Sequence, residues 1–150
     1  MQKIEFKKNI IDKCIDTVKK SIELSEQEMR EAQENANEYG GPKDRYDPYR
    51  DQQMSKKEMY ANQLAKSVGE LRALEKIDPE EVFTSAEFGS VVITNEQKLF
   101  ISVAVGKLEV GDEVFFAISI NSPIGQELNG KKVGDKFTVN KKEFTIQEIY

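Results

Sequence analysis

The stretch G-G-P-K-D-R-Y-D-P-Y-R-D, Gly40 to Asp51, interrupts a long run of helix-compatible sequence. No glycine or proline precedes Gly40, and none lies between Pro48 and Gly69. On its N-terminal side Ile11, Ile15, Val18, Ile22, Ser25, Met29, Ala32 and Ala36 are separated by alternating steps of four and three, the seam of a left-handed coiled coil. On its C-terminal side Ala61, Leu64, Val68 and Leu71 repeat that rhythm. The pattern predicts helix from about Lys7 to Ile77, folded back on itself at the turn as an antiparallel coiled-coil hairpin. Small seam residues lie toward the turn and large ones toward the base, which lets the helices approach closely near the turn. About thirty helical residues at ~1.5 Å each make an arm of roughly 45 Å. Its tip carries Asp44, Asp47 and Asp51.

Composition narrows the chemistry. The 150 residues suit one ordinary domain, or a compact domain with an extension. Histidine and tryptophan are absent, which excludes histidine acid–base catalysis, Ser-His-Asp and Cys-His triads, and histidine-ligated zinc. The single cysteine, Cys14, has no internal disulfide partner and reads as a small apolar filler in a reducing compartment. No apolar run approaches the length of a membrane span, and Met1-Gln2-Lys3-Ile4-Glu5 lacks the apolar stretch of a secretory signal, so a cytoplasmic location is expected. The net charge of −5 argues against coating nucleic acid by bulk electrostatics. The run Glu23, Glu26, Glu28, Glu31, Glu34 and Glu38 reads as a solvated helix face.

Asp78-Pro79 ends the helical region, because a residue before proline is pushed out of the α basin. Beyond it the period changes. Ser90 to Thr94, Lys98 to Val105, Glu113 to Ile120, Lys136 to Val139 and Glu143 to Ile149 read as strands, separated by Asn95-Glu96, Gly111-Asp112 and Asn140-Lys141 turns. Before the last hairpin, Ser122 can cap a short helix, Pro123 takes its first position and Gly130 closes it. The expected class is α+β: a coiled-coil finger over residues 1–78, then an antiparallel sheet domain with one short helix over 79–150. Phe88, Phe100, Phe115, Phe116, Phe137 and Phe144 read mostly as core.

The segment Ile118 to Val139, I-S-I-N-S-P-I-G-Q-E-L-N-G-K-K-V-G-D-K-F-T-V, followed by E-F-T-I-Q-E-I-Y from Glu143 to Tyr150, resembles the C-terminal domain of the bacterial Gre transcript-cleavage factors. The shared pattern is S-P-[IL]-x-x-x-L-x-G-K-x-x-G-D, a strand, and a final strand rich in Ile and Glu, and the match spans roughly Val82 to Tyr150. A coiled-coil hairpin ahead of that domain extends the likeness to the whole architecture. The resemblance implies an FKBP-like C-terminal domain that docks at the rim of the RNA polymerase secondary channel, here through Ser122, Pro123 and Ile124. It also implies a finger whose tip carboxylates help hold a second Mg²⁺ at the polymerase active site, so that the polymerase itself cleaves backtracked RNA. The factor is then a transcription elongation regulator and not an enzyme, acting on a DNA-bound polymerase and the 3′ end of its nascent RNA. No tightly bound cofactor and a free monomer are expected.

The family's tip reads approximately G-D-L-x-E-N-A-E-Y. Asp44 and Asp47 keep the three-residue spacing of its acid pair and are the carboxylates the resemblance implies for the shared Mg²⁺, with Asp51 or Glu38 in reserve, whereas strict alignment on Tyr49 places Pro42 and Arg45 at those positions. The same aspartates also suit ordinary turn and N-cap chemistry. Lys43, Arg45, Tyr46, Tyr49 and Arg50 are candidates for contact with RNA or the channel wall, with Lys56 and Lys57 nearby. The N-terminus lacks the glycine-containing segment and R-P pair with which the family usually opens, which marks a divergent branch. Two other functions fit less well: a prolyl isomerase, for which no tryptophan is available as a pocket floor, and a coiled-coil oligomeriser, against which the turn at Gly40 tells.

Overall fold

The structure is a computed structural model that describes residues 2–38 and 48–150. Two long helices come first: α1, Gln2–Glu38, and α2, Pro48–Glu75. Six strands and a short helix follow, as β1 Val91–Thr94, β2 Lys98–Ser102, β3 Gly106–Val110, β4 Glu113–Ser119, α3 Pro123–Leu128, β5 Lys136–Val139 and β6 Lys142–Ile149. The chain divides into two compact units, one of Met1–Thr17 with Ala73–Tyr150, the other of Val18–Arg72. The α+β class expected from the sequence is present. No helix among the described residues is long and apolar enough to cross a membrane.

In the helical unit, side-chain contacts give the direction of pairing. Ser21 Oγ meets Ser67 Oγ at 3.2 Å, Lys56 Nζ meets Glu28 Oε2 at 3.3 Å, Lys57 Nζ donates to Gln33 Oε1 at 2.7 Å, and Asn35 Nδ2 donates to Gln53 Oε1 at 3.3 Å. As the position on α1 rises from 21 to 35, its partner on α2 falls from 67 to 53, so the helices run antiparallel. Val18, Ser25, Ala32 and Ala36 are buried at seam positions. Small buried residues permit the close approach that these short polar contacts require.

The other unit is built on one six-stranded sheet in the order β3-β4-β2-β1-β6-β5. The sheet is mixed rather than purely antiparallel, because β2 and β4 run parallel, with Leu99 beside Phe116 and Ile101 beside Ile118. Sequence patterning missed β3 and extended β2 too far. Val103 and Val105 have strand-forming side chains, but Val105 N–H donates to Val103 O at 2.8 Å, a three-residue turn that ends β2. Gly106 then adopts φ +90°, turning the chain into β3. The detour lets β4 return between β3 and β2.

Both faces of the central strands are covered. One face contributes Val92, Leu99, Ile101, Phe137, Phe144, Ile146 and Ile149 to a core closed by Phe83, Ala86 and Leu128. Phe137 and Phe144 face each other across β5 and β6 with centroids 5.2 Å apart. The opposite face presents Val91, Phe100, Phe115 and Ala117, all buried, as are Ile10, Ile11 and Cys14 of α1. Phe88 and Phe116 depart from the expected core by being partly exposed.

Candidate functional site

Two regions carry the site residues singled out by sequence, and they lie in different units. The first flanks the turn between the helices. Asp44 and Asp47, with Lys43, Arg45 and Tyr46, fall outside the described residues. α1 ends at Glu38 and α2 opens with Pro48, whose fixed φ and missing N–H suit the first helical position. Arg50 Nη1 donates to Ala36 O at 3.2 Å, satisfying one of the carbonyls that a helix C-terminus leaves without an intrahelical partner. Arg50 thus holds the end of α1 against the start of α2. Tyr49 and Asp51 are exposed on the first turn of α2, where the Asp51 carboxylate suits the positive end of the helix dipole. Among the described residues no group of three or more carboxylate or thiol side chains is arranged to hold a metal ion.

The second region is the Ser122-Pro123-Ile124-Gly125 turn at the end of β4. Ser122 sits at φ −69°, ψ 160° as the N-cap of α3. Its hydroxyl accepts from Gly125 N–H at 3.1 Å and donates to Ser119 O at 2.6 Å. Pro123 takes the first helical position and is exposed, while Ile124 packs against the core. Gly125 is required by close approach: a Cβ there would lie 2.2 Å from Ser119 O. Gly130 follows the helix at φ +81°, the left-handed position after a C-cap expected from sequence. The motif residues therefore build a rigid corner on which Pro123 is displayed.

A third feature was missed. Lys7 is only 1% exposed although it is a lysine. Its Nζ donates to Glu81 O at 3.3 Å and lies 4.5 Å from the Phe83 ring centroid, a cation–π arrangement. Burial pulls its pKa down from 10.5 to about 8, against the opposing pull of Glu81 and Asp78. A cleft of about 290 Å³ adjoins it, lined in part by Lys3, Val82 and Tyr150. Lys3 pairs with Glu148 and lies over the Tyr150 ring. Burial, then Glu148 and Glu113, push the Tyr150 hydroxyl up to about 12. A signal for Lys7 was available: it stands four residues before Ile11, in phase with the seam.

Cys14 is the filler expected. It is fully buried, and burial pushes its thiol up to about 12. The nearby Ser102 hydroxyl slightly favours the thiolate but does not reach good hydrogen-bond geometry. A thiol so protonated is a poor nucleophile at neutral pH.

Residues 86–150 match the family model described as "Transcription elongation factor, GreA/GreB, C-term". No curated protein sequence matches the chain. Among solved structures, the crystal structure of GreA factor homolog 1 (Gfh1) protein of Thermus thermophilus is 20% identical, with 91% of this chain and 94% of that chain covered and a TM-score of 0.35. A structure of the transcription factor Gfh1 is 22% identical, with 91% and 93% covered and a TM-score of 0.34.

Proposed function

We propose, from the match of residues 86–150 to the GreA/GreB C-terminal family model, that the chain is a divergent Gre-like transcription elongation factor acting on RNA polymerase. The family match over the β-domain is the observation that carries this reading. The domain docks at the rim of the secondary channel through the Ser122-Pro123-Ile124 corner, with Pro123 as its exposed element. The helical hairpin supplies the segment between Glu38 and Pro48, and with it Asp44 and Asp47, to the polymerase active site. Lys43, Arg45, Tyr46, Tyr49 and Arg50 contact the RNA 3′ end or the channel wall.

Two aspartates give hard oxygen donors of the kind Mg²⁺ takes, but too few to enclose it, so the ion would be held only when the polymerase and RNA complete its shell. Bound there, it would supply the second cation of a two-metal hydrolysis of backtracked RNA. The chemistry is the polymerase's, and this chain's contribution is the placement of two carboxylates. Adding the full-length protein to a backtracked polymerase complex with Mg²⁺ is expected to speed release of the RNA 3′ fragment. Asp44→Ala with Asp47→Ala is expected to abolish that gain, and unchanged cleavage by the wild-type chain, or full activity of the double variant, would remove the mechanism.

The displacement of Asp44 and Asp47 from Gly41 and the added prolines Pro42 and Pro48 favour a second reading. On this reading the finger occupies the channel without promoting cleavage. Competition with an authentic cleavage factor, in the absence of any cleavage by this chain, would point to it.

A further inference from the structure

The outer edge of the sheet is self-complementary. β3 is the terminal strand, and no described strand pairs with its free side. Its hairpin to β4 is closed by the two residues Gly111 and Asp112, with Val110 opposite Glu113 and Gly111 at φ +62°. A two-residue hairpin closes on a hydrogen-bonded pair, so Val110, Leu108 and Gly106 direct their backbone groups to β4. Lys107 and Glu109 then direct theirs outward, to the free edge.

Edge strands are usually blunted by proline, a bulge or unbalanced charge. β3 has no proline, its register with β4 runs without a shift, and its two outward residues carry opposite charges. Lys107 and Glu109 are 61% and 72% exposed at the side chain, and their own contact is long, at 3.9 Å. Beside them on the same face lie Phe116, opposite Lys107, and Val114, opposite Glu109, 37% and 39% exposed.

We infer that β3 is an interaction edge for a second copy of this chain, paired antiparallel about a two-fold axis through Leu108. That register places Lys107 opposite Glu109 of the second copy, and Glu109 opposite its Lys107. These are the residues with outward backbone groups, so the pairing that matches charge also makes the hydrogen bonds, four in all by this count. A two-fold axis at Lys107 or at Glu109 sets like charges against each other. Phe116 and Val114 of both copies extend the joined surface with apolar area. A five-residue edge is well below the roughly 1,200 Å² of a stable interface, so the pair is weak, with a Kd on the order of 0.1–1 mM. The monomer expected from sequence remains the main species in dilute solution.

Sedimentation velocity on the full chain from ~10 μM to ~1 mM tests this. The weight-average mass is expected to climb from 17.1 kDa toward twice that value. Lys107→Glu and Glu109→Lys, each alone, set like charges across the axis and are expected to weaken association about tenfold. Mixing the two single variants creates complementary pairs again, and the combined exchange Lys107→Glu with Glu109→Lys does so within one chain. Both are expected to recover wild-type association. A chain that stays at 17.1 kDa throughout overturns the inference, as does association indifferent to either single change or not recovered on mixing.

Discussion

Lys7 shows how a single residue sets a pH dependence. With a folded pKa of about 8 against an ordinary 10.5, it binds fewer protons folded than unfolded between those values. Stability therefore rises with pH across that window, by at most about 1.4 kcal/mol per pH unit. Below about 8 the ammonium is charged in both states and the burial penalty is fully present. Cys14 and Tyr150 act in the opposite sense, because folding raises each to about 12 from 9.0 and 10.0, so stability falls as the unfolded chain loses those protons. Between about pH 8 and 9 the rise from Lys7 outweighs the fall from Cys14, whose unfolded thiol is half ionised only at 9.0. In urea unfolding, the wild-type chain is expected to gain stability over that interval. Lys7→Met, which keeps the packed stem without the charge, is expected to show no such gain and to start higher at pH 7. Identical slopes in the two proteins would contradict this account. That Lys7 lies on the inward side of α1 was legible from its phase, four residues before Ile11. Its burial was not, since lysine normally keeps its head in water, and the carbonyl that receives it, Glu81 O, is 74 residues away.

At the scale of elements, helical periodicity and capping signals transferred well. The Ser122 cap, Pro123 at the first helical position and Gly130 after the helix are all where the sequence placed them. Strand pairing did not transfer, because side-chain preference is silent about direction. The β2–β4 pair is parallel only because β3 intervenes, and β3 was hidden by Gly106 and by valines at a tight turn. The seam between α1 and α2 also differs from a purely apolar one. On α2 the fully buried residues are Ser67 and Leu74, while Ala61, Leu64, Val68 and Leu71 are half-buried. Ser25 Oγ is buried without a hydrogen-bond partner among the described residues. A buried hydroxyl without a partner costs about 1 kcal/mol or more. Ser25→Ala is therefore expected to stabilise the chain by up to about 1 kcal/mol in chemical denaturation. A loss of stability would mean that the hydroxyl serves a contact the geometry does not reveal.

For the whole molecule, the sequence made the likeness of residues 86–150 to the GreA/GreB C-terminal domain legible where the motif is structural. S-P-I-G encodes a cap, a helix start and a glycine pressed against Ser119 O, constraints that leave little freedom in residue type. The candidate site was less legible, because carboxylates in a turn serve helix starts and metals equally well and nothing in their spacing separates the two tasks. The central claim, that this chain is a Gre-like factor acting on RNA polymerase, is tested most directly by measuring association of the full-length labelled protein with RNA polymerase in the presence of an authentic Gre cleavage factor as competitor. Saturable binding displaced by that competitor, and weakened when the exposed Pro123 is changed to Asp, is the predicted result. Absence of saturable binding, or binding that the competitor leaves untouched, would contradict the account.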